Sequence, residues 1–416
     1  MTKSSLAAWL SYLEQLHPKA IDLGLERISE VADRLTLRAQ PPTTLTVAGT
    51  NGKGSCVAVM DTALRAAGYR VGVYTSPHLV HFNERIVIDG LPASEQAICD
   101  AFEAIDTARG DITLSYFEFA TLAGLWLFRQ AGVDMQILEV GLGGRLDGVN
   151  ILDADVAVVT SIGLDHTDWL GDTRELIAIE KAGIARAGKP VVVADADVPS
   201  TLLPELKRIG ANIIQLDRDW TIAGDALRHE PRFEMALPKP PGLLDRNIAA
   251  GLMALDALSI DIQAQTLHDA VSGLTLAGRR QHIDIRGIDL VLDVAHNRES
   301  VAILIAALVT KPASGRTMAV FAAMADKPIH DILSACMPHV DGWFLPDFAD
   351  IPRVAKSSDL ADALTGCSVA RYVDFDAAWS AVWSLAAPGD RILVFGSFVT
   401  VGAAIDCMQR AETSAA

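Results

Sequence analysis

The densest chemistry in this chain lies in one turn, Gly49, Thr50, Asn51, Gly52, Lys53, Gly54 and Ser55, inside TLTVAGTNGKGSCVAVMDTALRAAGYRVGVYTS. The flanks read as a β-rich run before the turn, an amphipathic helix after it and a second strand beyond. Glycines at a strand-to-helix turn let backbone N–H groups approach phosphate oxygens, the helix N-terminus adds partial positive charge, and Lys53 supplies a full one. The turn departs from the general Walker A pattern, in which Ser or Thr follows the Lys directly. Here Gly54 intervenes before Ser55, and the leading glycine is spaced differently. A tight turn with a solvated lysine is the bland alternative, but so many aligned features favour a bound nucleotide.

Three more polar residues fall where strands are expected to end: Ser76 in TSPHLVHFNERI, Glu139 in ILEVGLGGRLDGVN and His166 in TSIGLDHTDWLG. Ligand sites in open α/β sheets gather at the carboxyl ends of strands. A hydroxyl, a carboxylate and an imidazole converging there would suit Mg2+ or Mn2+ bridging nucleotide phosphates. Singly, each is more ordinarily a cap or a hydrogen-bonded core residue. Lys181, in IEKAGIARAGKP, reads by default as a solvated helix lysine.

The string GTNGKGS resembles the phosphate loop of the Mur ligase superfamily, and its Gly-Ser ending resembles the folate branch, the folylpolyglutamate synthases. TSPH, LEVGLGGRLD and GLDHTDWLG resemble motifs of that branch in its order and at similar spacing, as do LVLDVAHN and GSFVTVG nearer the C-terminus. The resemblance covers essentially the whole chain. It implies ATP and Mg2+ as cofactors, with Thr50, Asn51, Gly52, Lys53, Gly54, Ser55, Asn247, Arg279 and Asp293 at the ATP and Ser76, Glu139 and His166 at the metal. It implies a carbamylated Lys181, an adduct that turns a cation into a metal-binding anion, and a His296 that helps to seat an incoming glutamate. Lys53, Lys181 and His296 are thus the expected catalytic residues, and Arg279 could clamp phosphate oxygens as the domains close.

The resemblance extends to a dihydropteroate pocket made by Asp22, Leu23 and Gly24, by Ser115, Tyr116, Phe117 and Glu118, and by Leu146, Asp147 and Gly148. Much of SYFEFATLAGLWLF reads as core, since Phe119, Leu122 and Trp126 fall on one helical stripe. Tyr116 and Phe117 sit at the helix start, where an aromatic face could stack on a flat pterin. The implied activity is a ligase that joins L-glutamate to dihydropteroate and to tetrahydrofolate. ATP must first phosphorylate the carboxylate, because oxide is not a leaving group, and the amine of glutamate then attacks the acyl phosphate. Three alternatives stand beside it: a folylpolyglutamate synthase with one activity, a cell-wall Mur-type ligase, and a nucleotide switch without catalysis. Cell-wall ligases usually carry an extra N-terminal substrate domain, and only about 44 residues precede the phosphate-loop strand here. Four positions depart from the family pattern: Gly148-Val149 where Ala-Thr is common, Arg298 where Pro often follows AHN, and Val399 where several relatives carry His.

The elements that must position these residues alternate along nearly the whole chain. Strands are expected at Leu45 to Ala48, Val71 to Thr75, Met135 to Val140, Val156 to Ser161 and Val191 to Ala194, separated by helical patterns. That is the signature of a mainly parallel α/β sheet. Antiparallel strands are expected between Gln215 and Phe233, and a helix around Asn247 to Leu258. After Gly278-Arg279-Arg280 the alternation restarts, with strands at Leu290 to Val294, Met318 to Ala322, Trp343 to Leu345 and Ile392 to Phe395 before a final helix. The expected architecture is α/β: an ATP-binding domain over residues 1–280 with a mainly parallel sheet, and a smaller Rossmann-like α/β domain over residues 281–416.

Half of the 416 residues are apolar, enough for a large core, and no apolar run approaches the length of a bilayer crossing. LAAWLSYLEQL near the start is an amphipathic helix with Glu14 inside it rather than a signal core. Cys56, Cys99, Cys336, Cys367 and Cys407 are odd in number and scattered, which fits a reducing cytoplasm better than a disulfide framework. A net charge of -17 with no basic stripe argues against nucleic acid and anionic membranes as partners. The expected partners are small molecules, namely ATP, L-glutamate, dihydropteroate and folates, taken by a monomer.

Overall fold

The computed structural model describes residues 5–415 apart from 18, 20, 21 and 261. Backbone contacts divide it into two units, Met1–His78 with Phe82–Leu274, and Leu79–His81 with Thr275–Ala416. The first unit holds strands β1 (Thr43–Ala48), β2 (Val71–Tyr74), β3 (Ile86–Ile88), β4 (Leu91–Pro92), β5 (Met135–Glu139), β6 (Val156–Val159), β7 (Pro190–Val193) and β8 (Asn212–Gln215). They form one sheet in the order β4-β3-β2-β5-β1-β6-β7-β8. From β2 to β8 the pairing is parallel; β3 and β4 add an antiparallel edge.

The central strands read TTLTVA, MQILE and VAVV because helices cover both faces of a parallel sheet, and all but Thr43 are buried. Two of their few polar side chains pair with each other: the Gln136 amide donates to Thr44 Oγ1 over 2.8 Å. Register sets the strand ends level. Val47 lies opposite both Glu139 and Val158, so the loops after β1, β5 and β6 emerge together at the carboxyl edge.

The helices that frame this edge have legible causes. Helix Tyr116–Ala131 starts with a reciprocal cap between Ser115 and Glu118 and ends at Gly132, whose φ of +60 suits a left-handed cap. Helix Asp245–Ala257 lies against helix Lys53–Ala66, and Gly251 makes the approach possible. A Cβ there would stand 3.0 Å from Val59 Cγ1 and 3.2 Å from the Cys56 carbonyl. Beyond the large sheet, β9 (Thr221–Ala223), β10 (Ala226–His229) and β11 (Phe233–Ala236) form the antiparallel sheet anticipated after Gln215.

The second unit has β12 (Gln281–Ile285), β13 (Ile288–Asp293), β14 (Thr317–Phe321), β15 (Gly342–Pro346), β16 (Val369–Tyr372) and β17 (Arg391–Phe395), ordered β12-β13-β17-β14-β15-β16. Only β12 runs antiparallel. Its two faces carry separate apolar clusters, one around Phe321, Trp343 and Phe395 and the other around Leu290, Phe344 and Phe375. The α/β class and the strands carrying the motifs match the sequence expectation. The edge strands β3, β4, β8, β12 and β16 were not foreseen. They are short, and their side chains are mostly only half-buried or exposed, so their apolar signal is weak.

Candidate active site

The glycine turn is bound to the end of β6. Thr50 N donates to the Ser161 carbonyl at 2.6 Å, Gly163 N donates to Thr50 Oγ1 at 2.9 Å, and Asn51 N donates to Ser161 Oγ at 3.2 Å. Both Thr160 Oγ1 and Ser161 Oγ donate to the Asn51 carbonyl, at 2.8 and 3.1 Å. Gly49 permits this closeness, since a Cβ would fall 1.8 Å from Thr160 Oγ1. Lys53 opens its helix and folds back so that Nζ donates to the carbonyls of Gly49 and Thr50 at 3.0 and 3.3 Å. Its ammonium is thereby held over the turn, with Gly54 and Ser55 in the first helical turn behind it. Asn247, the third residue of its helix, is 4% exposed and places its carboxamide against Gly52. Its Oδ1 has no hydrogen-bond partner among the described residues.

Glu139, the last residue of β5, is buried, and one carboxylate oxygen lies 3.4 Å from Ser76 N, two residues beyond β2. His166 is not at a strand end. It follows β6 by several residues and caps the short helix Thr167–Leu170 with a left-handed φ of +53. No group of three or more His, Cys, Asp or Glu side chains gathers at metal-binding distances among the described residues. A cation here would lean on one carboxylate, a hydroxyl, an imidazole and oxygens brought by a phosphate. That limited protein donor set fits Mg2+, which commonly takes one or two carboxylates plus substrate phosphates.

Lys181 departs from its default reading as a solvated lysine. It is 3% exposed, on the last turn of helix Arg174–Ala182. Burial, with Lys53 adding repulsion, pushes its ammonium down to about 7. A buried lysine of that kind spends much of its time as a neutral, nucleophilic amine. Asp147 shifts the opposite way: burial pushes its carboxyl up to about 6, although Leu142 N and Val149 N donate to it at 2.8 and 3.0 Å.

Around Asp147 the expected pocket residues come together in part. The Phe117 ring lies against Gly141 and Gly148, where any Cβ would meet it, and 6.0 Å from the Tyr74 ring. Tyr116 turns elsewhere, toward Phe82 and the Arg85 guanidinium. Leu146, Leu23 and Gly24 are half-buried. Ser115 and Glu118 are occupied by the helix cap, and Glu118 also accepts from Arg27 at 3.1 Å. Arg27 in turn grips the Asp22 carboxylate at 2.7 Å, tying the 22–24 loop to helix Tyr116–Ala131. Arg27, Thr160 and Ser161 escaped the sequence reading. Two adjacent hydroxyls directly after an apolar strand were the available signal for the last two.

In the second unit Asp293 ends β13 and accepts from Arg280 N at 2.8 Å and Ala295 N at 2.7 Å. Burial pushes its carboxyl up, against the pull of Arg279. The Arg279 guanidinium lies 5.2 Å from the Phe398 ring centroid. His296 donates Nδ1–H to the Val294 carbonyl at 2.7 Å, which fixes that tautomer, and Asn297 caps helix Arg298–Thr310. The GSFVTVG segment is stiffened by Ser397 and Thr400, whose hydroxyls lie 2.7 Å apart.

Comparison with known proteins places these residues in context. Residues 278–398 match the Mur ligase glutamate ligase domain. The dihydrofolate synthase/folylpolyglutamate synthase of Escherichia coli K12 is 44% identical over 410 residues, covering 96% of this chain and 94% of its own. The solved structure of E. coli FolC in complex with DHPP and ADP superposes with a TM-score of 0.93 at 41% identity, covering 99% of each chain. A bifunctional folylpolyglutamate synthase/dihydrofolate synthase with Mn, AMPPNP and L-glutamate bound gives a TM-score of 0.91 at 39% identity, covering 98% of this chain and 99% of its own.

Proposed function

The chain belongs to the dihydrofolate synthase/folylpolyglutamate synthase family, and from that premise we propose which of its residues carry each step of the reaction. It is an ATP-dependent, amide-forming ligase that joins L-glutamate to dihydropteroate and to tetrahydrofolate. The observation that supports the assignment best is Lys53 folded over a glycine turn that is sewn to the strand edge beside buried Glu139.

The backbone N–H groups of Gly52, Lys53, Gly54 and Ser55 cradle the ATP phosphates, Thr50 and Asn51 hold the turn that presents them through their bonds to Ser161, and Asn247 flanks the turn at Gly52. Lys53 stabilises charge as the γ-phosphoryl group passes to the substrate carboxylate. Glu139, Ser76 and His166 would hold Mg2+, which when bound would neutralise the phosphate oxygens. The acid substrate lies with its pterin ring against Phe117 and within reach of Asp147, whose raised pKa lets it present either a proton or a carboxylate to ring nitrogens. The α-amine of glutamate, seated with the help of His296, attacks the acyl phosphate; the C–N bond forms as phosphate departs and the amine sheds a proton.

Lys181 gains a carbamate: its neutral amine bonds to the carbon of CO2 and releases one proton to water, leaving an anion beside the metal ligands. Burial and the nearness of Lys53 both favour the neutral amine that this step requires. Asp293 and Arg279 orient the nucleotide. The ATP-binding part spans 1–280 and the ligase part 281–416. We place the enzyme in the cytoplasm as a monomer, a compartment that five free cysteines fit.

The test is ADP release by the purified protein. It should require ATP, a pteroate acid and glutamate together. Turnover without glutamate would indicate a nucleotide switch, and turnover with tetrahydrofolate but not dihydropteroate would leave only the polyglutamate activity.

A further inference from the structure

The turn that carries Lys181 is fastened to the loop that carries Asp147 by two side chains: the buried Asn150 carboxamide, and the Arg186 guanidinium, which donates to the Gly183, Asn150 and Leu152 carbonyls at 3.1, 3.1 and 3.3 Å. Asn150 is 6% exposed. Its amide donates one hydrogen to the Arg145 carbonyl at 3.0 Å and the other to the Gly183 carbonyl at 3.1 Å. Its oxygen accepts from Arg186 Nη2 at 3.0 Å. Both N–H groups of the carboxamide and its oxygen are engaged, and the two donated bonds reach opposite sides of the join.

The surfaces it holds together are pressed close. A Cβ at Gly144 would stand 2.8 Å from the Glu180 carbonyl and 3.2 Å from Lys181 Cα, and one at Gly183 would stand 2.4 Å from Arg145 Cβ. Arg145 adds a backbone bond, N to the Glu180 carbonyl at 2.8 Å, and a side-chain pair with Glu180 Oε1. That ion pair is the conspicuous link but a weak one, because the Arg145 side chain is 52% exposed and solvent screens it.

We propose that Asn150 is a positioning residue for ligation, holding the Lys181 amine in register with the Asp147 pocket through its two donated bonds. Dihydropteroate and the Lys181 carbamate are thereby placed by one rigid unit, and loosening Asn150 uncouples them. The inference rests on the role given to Lys181 above.

Wild type, Asn150→Ala, Asn150→Asp and Arg145→Ala are compared for kcat, for KM of dihydropteroate, glutamate and ATP, for ADP affinity by calorimetry, and for the CO2 adduct on Lys181 by mass spectrometry in bicarbonate. Asn150→Ala and Asn150→Asp should lower kcat about 10- to 100-fold and deplete the adduct, the range for partners that orient a metal's ligands. Their ADP affinity should stay within about twofold, because the glycine turn is anchored to β6 and not to this join. Asp retains the size of Asn and the acceptor toward Arg186 but has no N–H to give, so its failure alongside Ala identifies the donated bonds. Arg145→Ala should change kcat by less than about twofold. Should Asn150→Ala not fold, Asn150→Ser carries the same comparison with one donor kept. A folded Asn150→Ala with wild-type kcat and adduct overturns the proposal, as does a parallel loss of ADP affinity, the mark of general loosening. A wild type without adduct would overturn the role of Lys181 instead, and a kcat loss in Asn150→Ala at intact ADP affinity would still support the positioning.

Discussion

Replacing Gly52 by alanine measures how tightly the phosphate turn is specified. Gly52 caps helix Lys53–Ala66 with a φ of +88, a left-handed conformation that costs an L-residue with a side chain roughly 1–2 kcal/mol. The new Cβ would also stand 2.5, 2.6 and 2.7 Å from Nδ2, Oδ1 and Cγ of Asn247. Contacts that short force the buried carboxamide off its rotamer or the turn off its anchors, adding roughly 1–3 kcal/mol. Together the costs come to about 2–5 kcal/mol, or about 30-fold and upward in kcat/KM for ATP if the turn must keep its present shape to bind. Asn247→Gly removes the clash but not the φ cost. In that background Gly52→Ala should therefore cost only about 1–2 kcal/mol, and the double-mutant cycle should show a coupling of roughly 1–3 kcal/mol. ADP affinity by calorimetry and kcat/KM for ATP in the wild type, both single variants and the double variant provide the measurement. Additive losses would refute the steric argument, and an unimpaired Gly52→Ala would refute the assignment of the turn.

Lys53→Ala should abolish ligation while thermal unfolding stays close to wild type, because it removes charge from the transferring phosphoryl group and not from a core; retained turnover would sink the assignment. Mass spectrometry of Lys181 should find a CO2 adduct in bicarbonate that disappears on unfolding, and an unmodified lysine with a harmless Lys181→Ala would count against the carbamate. Phe117→Ala removes a stacking face worth about 1 kcal/mol beyond area burial, so kcat/KM should fall several-fold for dihydropteroate and less for tetrahydrofolate, whose glutamate can anchor elsewhere. Equal losses would mean one shared pterin mode. Buried Asp147 holds its proton up to about 6 against 3.8 for the ordinary group, so between those values the folded chain binds more protons than the unfolded one. Stability from this residue is thus fullest at low pH and falls by at most about 3 kcal/mol as pH climbs through that window. Urea unfolding at a series of pH values should show this slope flattened in Asp147→Asn, and an identical slope in both proteins would contradict it.

Much of the site was legible before any coordinates. GTNGKGS announces itself because a phosphate turn needs glycine where backbone must approach closely and where φ is positive, and both constraints are met locally at Gly49 and Gly52. The central strands were legible for a related reason. A parallel strand covered on both faces must be apolar throughout, so VAVV and MQILE stand out in one dimension. Glu139 could be placed at a strand end because its strand could be seen to stop there.

What sequence could not supply is everything that depends on which strands become neighbours. The order β2-β5-β1-β6 brings residues from distant parts of the chain to one edge, and only then do Thr160 and Ser161 meet Asn51. Tyr116 and Phe117 read alike as pocket aromatics, yet the fold turns one toward Arg85 and the other onto Gly141 and Gly148. His166 belongs to a helix cap rather than a strand end. Lys181 is the sharpest case: helix periodicity gives a lysine no reason to be buried, and its lowered pKa exists only because packing removes water around it and sets Lys53 nearby. By itself, the chain determined which local turns and strands it would form, since backbone conformation and burial pattern are written residue by residue; the tertiary structure alone decided which of those polar groups lose their water and which charges they face, because desolvation and Coulomb interactions depend on neighbours that no local pattern encodes.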